Sequence, residues 1–282
     1  MTSSNEASSR TVRTADWNIH YHEAGRGHPL ILLHGSGPGA TGWSNFSGNL
    51  PGLAEHFRVL AVDMPGWGAS DACPVDRLEH VSATLQFMDA LDVERAAVIG
   101  NSMGGATALR LAAEYPARVS HLITMGAPVN RGPRLFGPAD GPSEGLKILI
   151  EAYRNPTTAT MMRLVEIMCF DKRFASEELC SLRAQAASAR PEHLANFLAG
   201  LPRGWPVPRM ASLDELAGIA APTLLIHGRD DRVVHWEHSL HLVTHIPDSR
   251  LMLLNRCGHW AMIEHAAEFN RLVIDFVTHN RG

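Results

Sequence analysis

The sequence predicts an α/β protein built on a mostly parallel, doubly wound sheet, with a helical segment inserted late in the chain. Three observations carry this. Short unbroken apolar runs recur, helical patterns alternate with them, and the alternation breaks once, between residues 134 and 209. The 282 residues suit one large domain with an insertion, because a single core stops growing at roughly 250–300 residues.

The runs Leu30–Leu33, Val59–Val62, Ala96–Ile99, Leu122–Met125, Leu224–Ile226 and Leu251–Leu254 read as strands. None alternates apolar with polar, which predicts burial on both faces, as in a parallel sheet covered by helices. Trp17, Ile19 and Tyr21 do alternate within Thr11–Glu23, so a strand or hairpin is expected there. Leu85, Met88, Ala90 and Leu91 form one helical stripe, and Ala108, Leu109, Leu111 and Ala112 another. Met1–Arg10 is rich in Ser, Asn and Glu and is expected to be a disordered tail, leaving 11–133 and 210–282 as the core. Arg131–Pro142 and Gly200–Pro208, dense in Gly and Pro, flank four helical stretches, about Glu144–Arg154, Thr158–Met168, Ser176–Ala189 and Pro191–Leu198. Residues 134–209 are therefore expected to form a lid over the carboxyl edge of the sheet, where ligands bind in such folds.

Composition excludes several classes. A net charge of −4 gives no basic face for nucleic acid. No apolar run approaches the roughly 20 residues of a membrane span, and the N-terminus lacks the apolar core of a secretory signal. Cys73, Cys169, Cys180 and Cys257 are scattered without C-x-x-C spacing. That argues against a zinc site or a disulfide framework and for reduced thiols in the cytoplasm. No metal and no cofactor is expected. The expected partners are a small-molecule substrate and further copies of the chain, as a homodimer or higher homo-oligomer.

The chemistry concentrates at strand ends. Val98-Ile99-Gly100-Asn101-Ser102-Met103-Gly104-Gly105 runs from an apolar strand through G-x-S-x-G into a helical pattern, the context of a nucleophile elbow. Small residues are needed because the turn is too tight for larger side chains. A serine needs a base, and the base a third group to orient it. Gly258-His259-Trp260 follows the run Leu251–Leu254, and Asp231 follows Thr223–Gly228, so His259 and Asp231 can both reach Ser102. The order Ser, Asp, His is the one this turn requires. Asp230 is the rival for the acid; the other of the pair is a solvated loop carboxylate. His227, His235 and His265 read as structural or surface groups. His34-Gly35-Ser36-Gly37-Pro38-Gly39 follows the strand Leu30–Leu33, and a small-residue loop there supplies the second oxyanion amide, from Ser36, beside that of Met103. Asp63–Ser70 is a further strand-end turn that supports the fold.

Taken together, these motifs resemble the meta-cleavage product hydrolases of the α/β-hydrolase superfamily, from about Leu30 to Val277. The most specific pieces are Leu33–Ala40 with Gly42-Trp43-Ser44-Asn45-Phe46, Gly100–Gly105, and Arg256-Cys257-Gly258-His259-Trp260; Pro191-Glu192-His193-Leu194, Glu264-His265 and Glu268-Phe269-Asn270 continue the match. The resemblance implies an α/β-hydrolase fold with a helical lid and a serine-dependent hydrolase. The bond cleaved is C5–C6 of a 2-hydroxy-6-oxo-hexa-2,4-dienoate, to 2-hydroxypenta-2,4-dienoate and a carboxylic acid. It implies Ser102, Asp231 and His259 as the triad and Ser36 and Met103 as the oxyanion amides. Asn45, Asn101, Arg183 and Trp260 match the residues that hold the dienoate end. It further implies two stages, ketonisation of the dienol through His259 and then attack at C6.

His235 stands where many relatives have proline, and Gly126-Ala127-Pro128 replaces the more usual Gly-Pro-Gly, which leaves the C6 substituent open among hydrogen, alkyl, aryl and steroid-derived groups. Two other readings compete: a broad carboxylesterase or perhydrolase of the same fold, and a non-catalytic ligand receptor. The complete triad set argues against the receptor, and Ser102 excludes the aspartate-nucleophile enzymes of this fold.

Overall fold

In the computed structural model, which describes residues 8–130, 136, 142–204 and 208–280, all six apolar runs become strands. The strands are β1 (Ser9–Arg13), β2 (Asn18–Ala24), β3 (Pro29–Leu33), β4 (Arg58–Val62), β5 (Ala96–Asn101), β6 (Val119–Met125), β7 (Thr223–Gly228) and β8 (Ser249–Leu254). They form one sheet in the order β1-β2-β4-β3-β5-β6-β7-β8. From β4 to β8 every pairing is parallel, while β1 and β2 join antiparallel as a hairpin. Strands β3, β5, β6 and β7 are buried almost throughout, as unbroken apolar runs require.

Two expectations shift at the edges. Ser9 and Arg10 pair with His22 and Tyr21, so β1 reaches two residues into the stretch expected as a tail; Met1–Ala7 lie outside the described residues. An edge strand faces water, so it needs no apolar alternation to reveal it, and here the Ser8 and Ser9 hydroxyls bond the His22 and His20 rings. At the other edge, β8 is apolar yet not buried on both faces: Met252 and Leu253 are 38% and 39% exposed.

The helices are α1 (Gly42–Phe46), α2 (Leu50–Ala54), α3 (His80–Ala90), α4 (Met103–Glu114), α5 (Glu144–Arg154), α6 (Thr158–Met168), α7 (Glu177–Ser188), α8 (Pro191–Gly200), α9 (Leu213–Ala217), α10 (Glu237–His245), α11 (Ala261–Glu264) and α12 (Ala266–His279). Helices α5–α8 occupy the insertion between β6 and β7, at the stretches their sequence patterns marked. Their starts are encoded locally. The hydroxyls of Ser143, Thr157 and Ser176 accept first-turn amides, and Pro191 opens α8. Much of the Gly- and Pro-rich joints, 131–135, 137–141 and 205–207, lies outside the described residues.

The inserted helices dock on the sheet's carboxyl edge. The Gly145 amide donates to Arg232 O at 3.1 Å and Ser143 Oγ to Val233 O at 2.8 Å. Arg190 donates to Gly68 O and Ser70 O at 3.0 and 3.2 Å. At Gly39, φ is +67° and a side-chain carbon would stand 2.8 Å from the Ala187 amide nitrogen, so α7 rests directly on the loop after β3.

One of the tight approaches in the core lies between β3 and the start of α4. A Cβ on Gly104 would fall 2.2 Å from Leu33 O, whereas one on Gly48 meets nothing within 4 Å. Gly104→Ala should therefore lower unfolding free energy by about 1–3 kcal/mol or more, through overpacking. Gly48→Ala should stay within about 0.5 kcal/mol of the parent. Urea denaturation of both variants checks this.

Candidate active site

Ser102 directly follows β5 at φ 52° and ψ −113°, a region that costs an L-residue of the order of 1–3 kcal/mol. Crowding holds it there. A Cβ on Gly100 would meet Gly104 O at 2.2 Å, so the small residues flanking the serine are steric necessities. The turn presents Ser102 to a cavity of about 410 Å³. Met103, next in the chain, heads α4, where first-turn amides have no intrahelical partner.

Asp231 lies three residues beyond β7 and His259 five beyond β8. Asp231 Oδ2 accepts the His259 Nδ1–H at 2.7 Å, with both side chains buried. Asp231 Oδ1 accepts the amides of Val233 and Val234 at 2.7 and 2.9 Å. Burial alone would raise the Asp231 pKa; the His259 and His227 imidazoles overcome it and hold the carboxyl well below the usual range. Ser102 lines the same cavity as His259, but among the described residues its hydroxyl makes no hydrogen bond to that ring.

Of the two candidate acids, the structure brings Asp231 to the histidine. Asp230 points elsewhere, with Oδ1 3.9 Å from Arg229 Nη2; its side chain is partly exposed, with Oδ2 buried. Gly126 accounts for part of the fit. At φ +53° its Cα faces the pair so closely that a Cβ would stand 2.8 Å from the His259 ring.

Ser36, three residues beyond β3, lines the cavity beside Met103. Its carbonyl accepts the Tyr153 hydroxyl of α5 at 2.6 Å, and that hydroxyl accepts the Trp67 Nε1–H at 3.0 Å. Tyr153 also stacks on Phe197 of α8, with ring centroids 3.7 Å apart. The His259 loop is anchored likewise. The His259 amide donates to Met168 O at 2.7 Å, and Glu264 accepts the amides of Gly258 and Asp171.

Asn45, Asn101, Arg183 and Trp260 all line the cavity with Ser102. Asn45 is engaged locally: Oδ1 accepts the Gly35 amide at 3.4 Å and Nδ2 donates to Thr41 O at 3.3 Å. Asn101 Nδ2 donates to Met125 O and His259 O, while its buried Oδ1 has no partner. Arg183 is 6% exposed, with its guanidinium carbon 4.5 Å from the Trp260 ring centroid. It donates to Ser44 O at 3.4 Å, its Nε has no partner, and among the described residues no carboxylate pairs with it. Burial pulls the guanidinium below its ordinary pKa. The lining also carries Leu146 and Leu149 of α5, Leu164 of α6, Met210, Val233 and Val234, together with the polar Ser143, Glu144, His235 and His238. The other arginine on the lining, Arg232, pairs with Glu144 at 2.6 Å.

Three side chains at the site escaped the sequence reading. His227, expected to be structural, is buried against Asp231. Its signal was a histidine ending an otherwise apolar strand run. Glu264 was marked only as part of the Glu264-His265 match, and Tyr153 carried no signal, because its partners are distant in sequence. The four cysteines are buried and free. Among the described residues no cluster of His, Cys, Asp and Glu suits a metal ion, and no helix is long and apolar enough to cross a membrane.

Residues 28–266 match the family model of the alpha/beta hydrolase fold. A 2-hydroxy-6-oxo-6-phenylhexa-2,4-dienoate hydrolase of Comamonas testosteroni is 44% identical, over 93% of this chain and 92% of that protein. A 2-hydroxy-6-oxononadienedioate/2-hydroxy-6-oxononatrienedioate hydrolase of Cupriavidus pinatubonensis is 42% identical, over 95% of this chain and 93% of that one. Among solved structures, the meta-cleavage product hydrolase of Pseudomonas fluorescens IP01 superposes with a TM-score of 0.84 at 33% identity, covering 95% of this chain and 97% of that one.

The Tyr153 contact gives a direct check. Tyr153→Phe leaves Ser36 O and the Trp67 Nε1–H without their shared partner, at a cost of about 1–3 kcal/mol in urea denaturation. Because Ser36 moves with that contact, kcat on a p-nitrophenyl ester should fall while KM changes little. Unchanged stability and turnover would mean that the loop is held by other contacts.

Proposed function

The chain belongs to the meta-cleavage product hydrolases of the α/β-hydrolase fold, and on that premise we propose that it hydrolyses the C5–C6 bond of a 2-hydroxy-6-oxo-hexa-2,4-dienoate carrying an apolar C6 substituent. The observation that carries the proposal is Arg183. A buried guanidinium stacked on Trp260 with no carboxylate of its own is costly unless a ligand supplies one. The substrate carboxylate does so, and the planar fork of Arg183 matches it. Asn101, whose buried Oδ1 has no partner among the described residues, lines the same cavity.

Chemistry proceeds in two stages. His259 removes the 2-hydroxyl proton and returns it to C5, giving the ketone at C2. Ser102 or a water activated by His259 then adds to C6, with the resulting oxyanion held by the Ser36 and Met103 amides. When the C5–C6 bond breaks, its electron pair moves to C5 and is delocalised into the C2 ketone as the dienol re-forms. The proton that His259 took from the nucleophile goes to the dienolate oxygen; where Ser102 attacked, the one water consumed hydrolyses the acyl ester left on it, and the products are 2-hydroxypenta-2,4-dienoate and the carboxylic acid. Asp231 keeps the His259 ring oriented and stabilises its protonated form in both stages.

The apolar wall supports the substituent. An aryl or branched alkyl group packs against Leu146, Leu149, Met210, Val233 and Val234, whereas a terminal carboxylate finds Arg232 already paired with Glu144. The proposal includes a cytoplasmic location, supported by the four buried free thiols, and a homo-oligomer, supported by Met252 and Leu253 exposed on the edge strand β8.

Loss of the dienoate chromophore is the primary test; hydrolysis of simple esters without dienoate turnover would favour a carboxylesterase. Arg183→Ala should reduce kcat/KM on the dienoate about 10- to 150-fold, the scale of a charge-assisted contact. An uncharged p-nitrophenyl ester should be hydrolysed nearly as before. Equal loss on both would assign Arg183 to holding the inserted helices.

A matched pair of dienoates tests the wall. A C6-phenyl substrate should exceed one with a carboxylate-terminated C6 chain by about tenfold or more in kcat/KM, since an apolar wall leaves the second charge unpaired. The reverse order would show Arg232 leaving Glu144 to bind it.

A further inference from the structure

Outside the residues the chemistry uses, one buried group touches the candidate triad directly. His227, near the end of β7, is fully buried. Its Nε2 lies 3.1 Å from Asp231 Oδ2 and 2.9 Å from Val234 O, and its Nδ1 lies 2.6 Å from Ser239 Oγ of α10. A carboxylate and a carbonyl only accept, so Nε2 carries the proton and Nδ1 accepts the Ser239 hydroxyl. The ring is thus fixed as a donor toward the acid. The same Oδ2 accepts the His259 Nδ1–H at 2.7 Å, while Oδ1 is taken by two backbone amides. One carboxylate oxygen serves two imidazoles.

We propose that His227 is a positioning residue for the base: its Nε2–H holds Asp231 Oδ2 on the His259 Nδ1 axis and draws off carboxylate charge that His259 would otherwise receive. The His259 ring is thereby held in one orientation. This rests on the reading of Ser102, Asp231 and His259 as the triad.

The other titratable and charged groups around the pair are engaged elsewhere. His235 Nδ1 is 3.1 Å from Glu237 Oε2, and Arg232 pairs with Glu144. His238 Nδ1 accepts the Val129 amide, and Glu264 accepts the amides of Gly258 and Asp171. Asp230 faces Arg229, and burial pushes the Cys257 thiol up, so it stays neutral. Among the described residues, His227 and His259 are the side chains that hydrogen-bond Asp231.

The test is the pH profile of kcat/KM for p-nitrophenyl acetate in wild type, His227→Gln and His227→Phe. Glutamine places an N–H near the Nε2 position; phenylalanine has none. The acid limb of His227→Phe should move up by about 0.5–1 pH unit, the size of one hydrogen bond to a charged group. Its kcat should drop about tenfold, within what a misplaced catalytic group costs, with KM little changed. His227→Gln should restore most of both.

An acid limb that superposes on wild type in His227→Phe, whatever its kcat, overturns the proposal. If that variant does not fold, nitrogen NMR of histidine-labelled wild-type protein decides. The expected His227 ring is protonated at Nε2 and bare at Nδ1 across the acid limb. A proton on Nδ1 alone, or titration along with the limb, overturns it. His259→Ala in the same assay separates the two readings: undiminished turnover there sinks the triad, whereas the His227 tautomer is read independently of turnover.

Discussion

A carboxylate with no access to water must be surrounded by donors, and the chain is arranged around one such group, Asp231. Its side chain is buried and meets four donors, two amides and two imidazoles. Drawing the Val233 and Val234 amides inward wraps the segment after β7 into a tight loop. That turns the Arg232 and Val233 carbonyls toward the insertion, where Gly145 and Ser143 bond them. The charge in the core thus determines where the first inserted helix begins.

Further along, the insertion is built into the site as a structural part of it. Helix α5 supplies Tyr153, which fixes the Ser36 carbonyl. The last residue of α6, Met168, fixes the His259 amide. Helix α7 brings Arg183 over Trp260 and lies against Gly39. The insertion thus holds the Ser36 carbonyl and the His259 amide and brings Arg183 to the cavity.

What the sequence makes legible is what is encoded locally. The strand runs, the glycines around Ser102 and the order of Ser102, Asp231 and His259 follow from periodicity and tight-turn sterics, and the fold shows them where expected. Asp231 and Asp230 were inseparable by spacing, since they are adjacent; burial and the His259 contact separate them. The hairpin was expected, but the first two residues of β1 were not, because a solvated edge carries no apolar pattern, and β8 misled because its apolar run ends the sheet. His227 sits only four residues from Asp231, but nothing in that spacing tells a structural histidine from one that bonds the acid, and Tyr153 acts through contacts that no local pattern announces. For Tyr153 these lie 86 and 117 positions away.

The bond from the His259 amide to Met168 O has a consequence for anyone recombining this chain with its relatives. Helix α6 and the loop after β8 are separate segments, yet they share one backbone hydrogen bond and a packing contact in which Gly258 leaves no room for a side chain beneath Met168 and Cys169. A chimera that takes the insertion from one parent and the sheet from another brings together two surfaces shaped by different histories at the point where the imidazole is aimed. Swaps meant to alter only what the cavity admits will also re-aim the imidazole, unless the segment around Gly258 travels with the insertion.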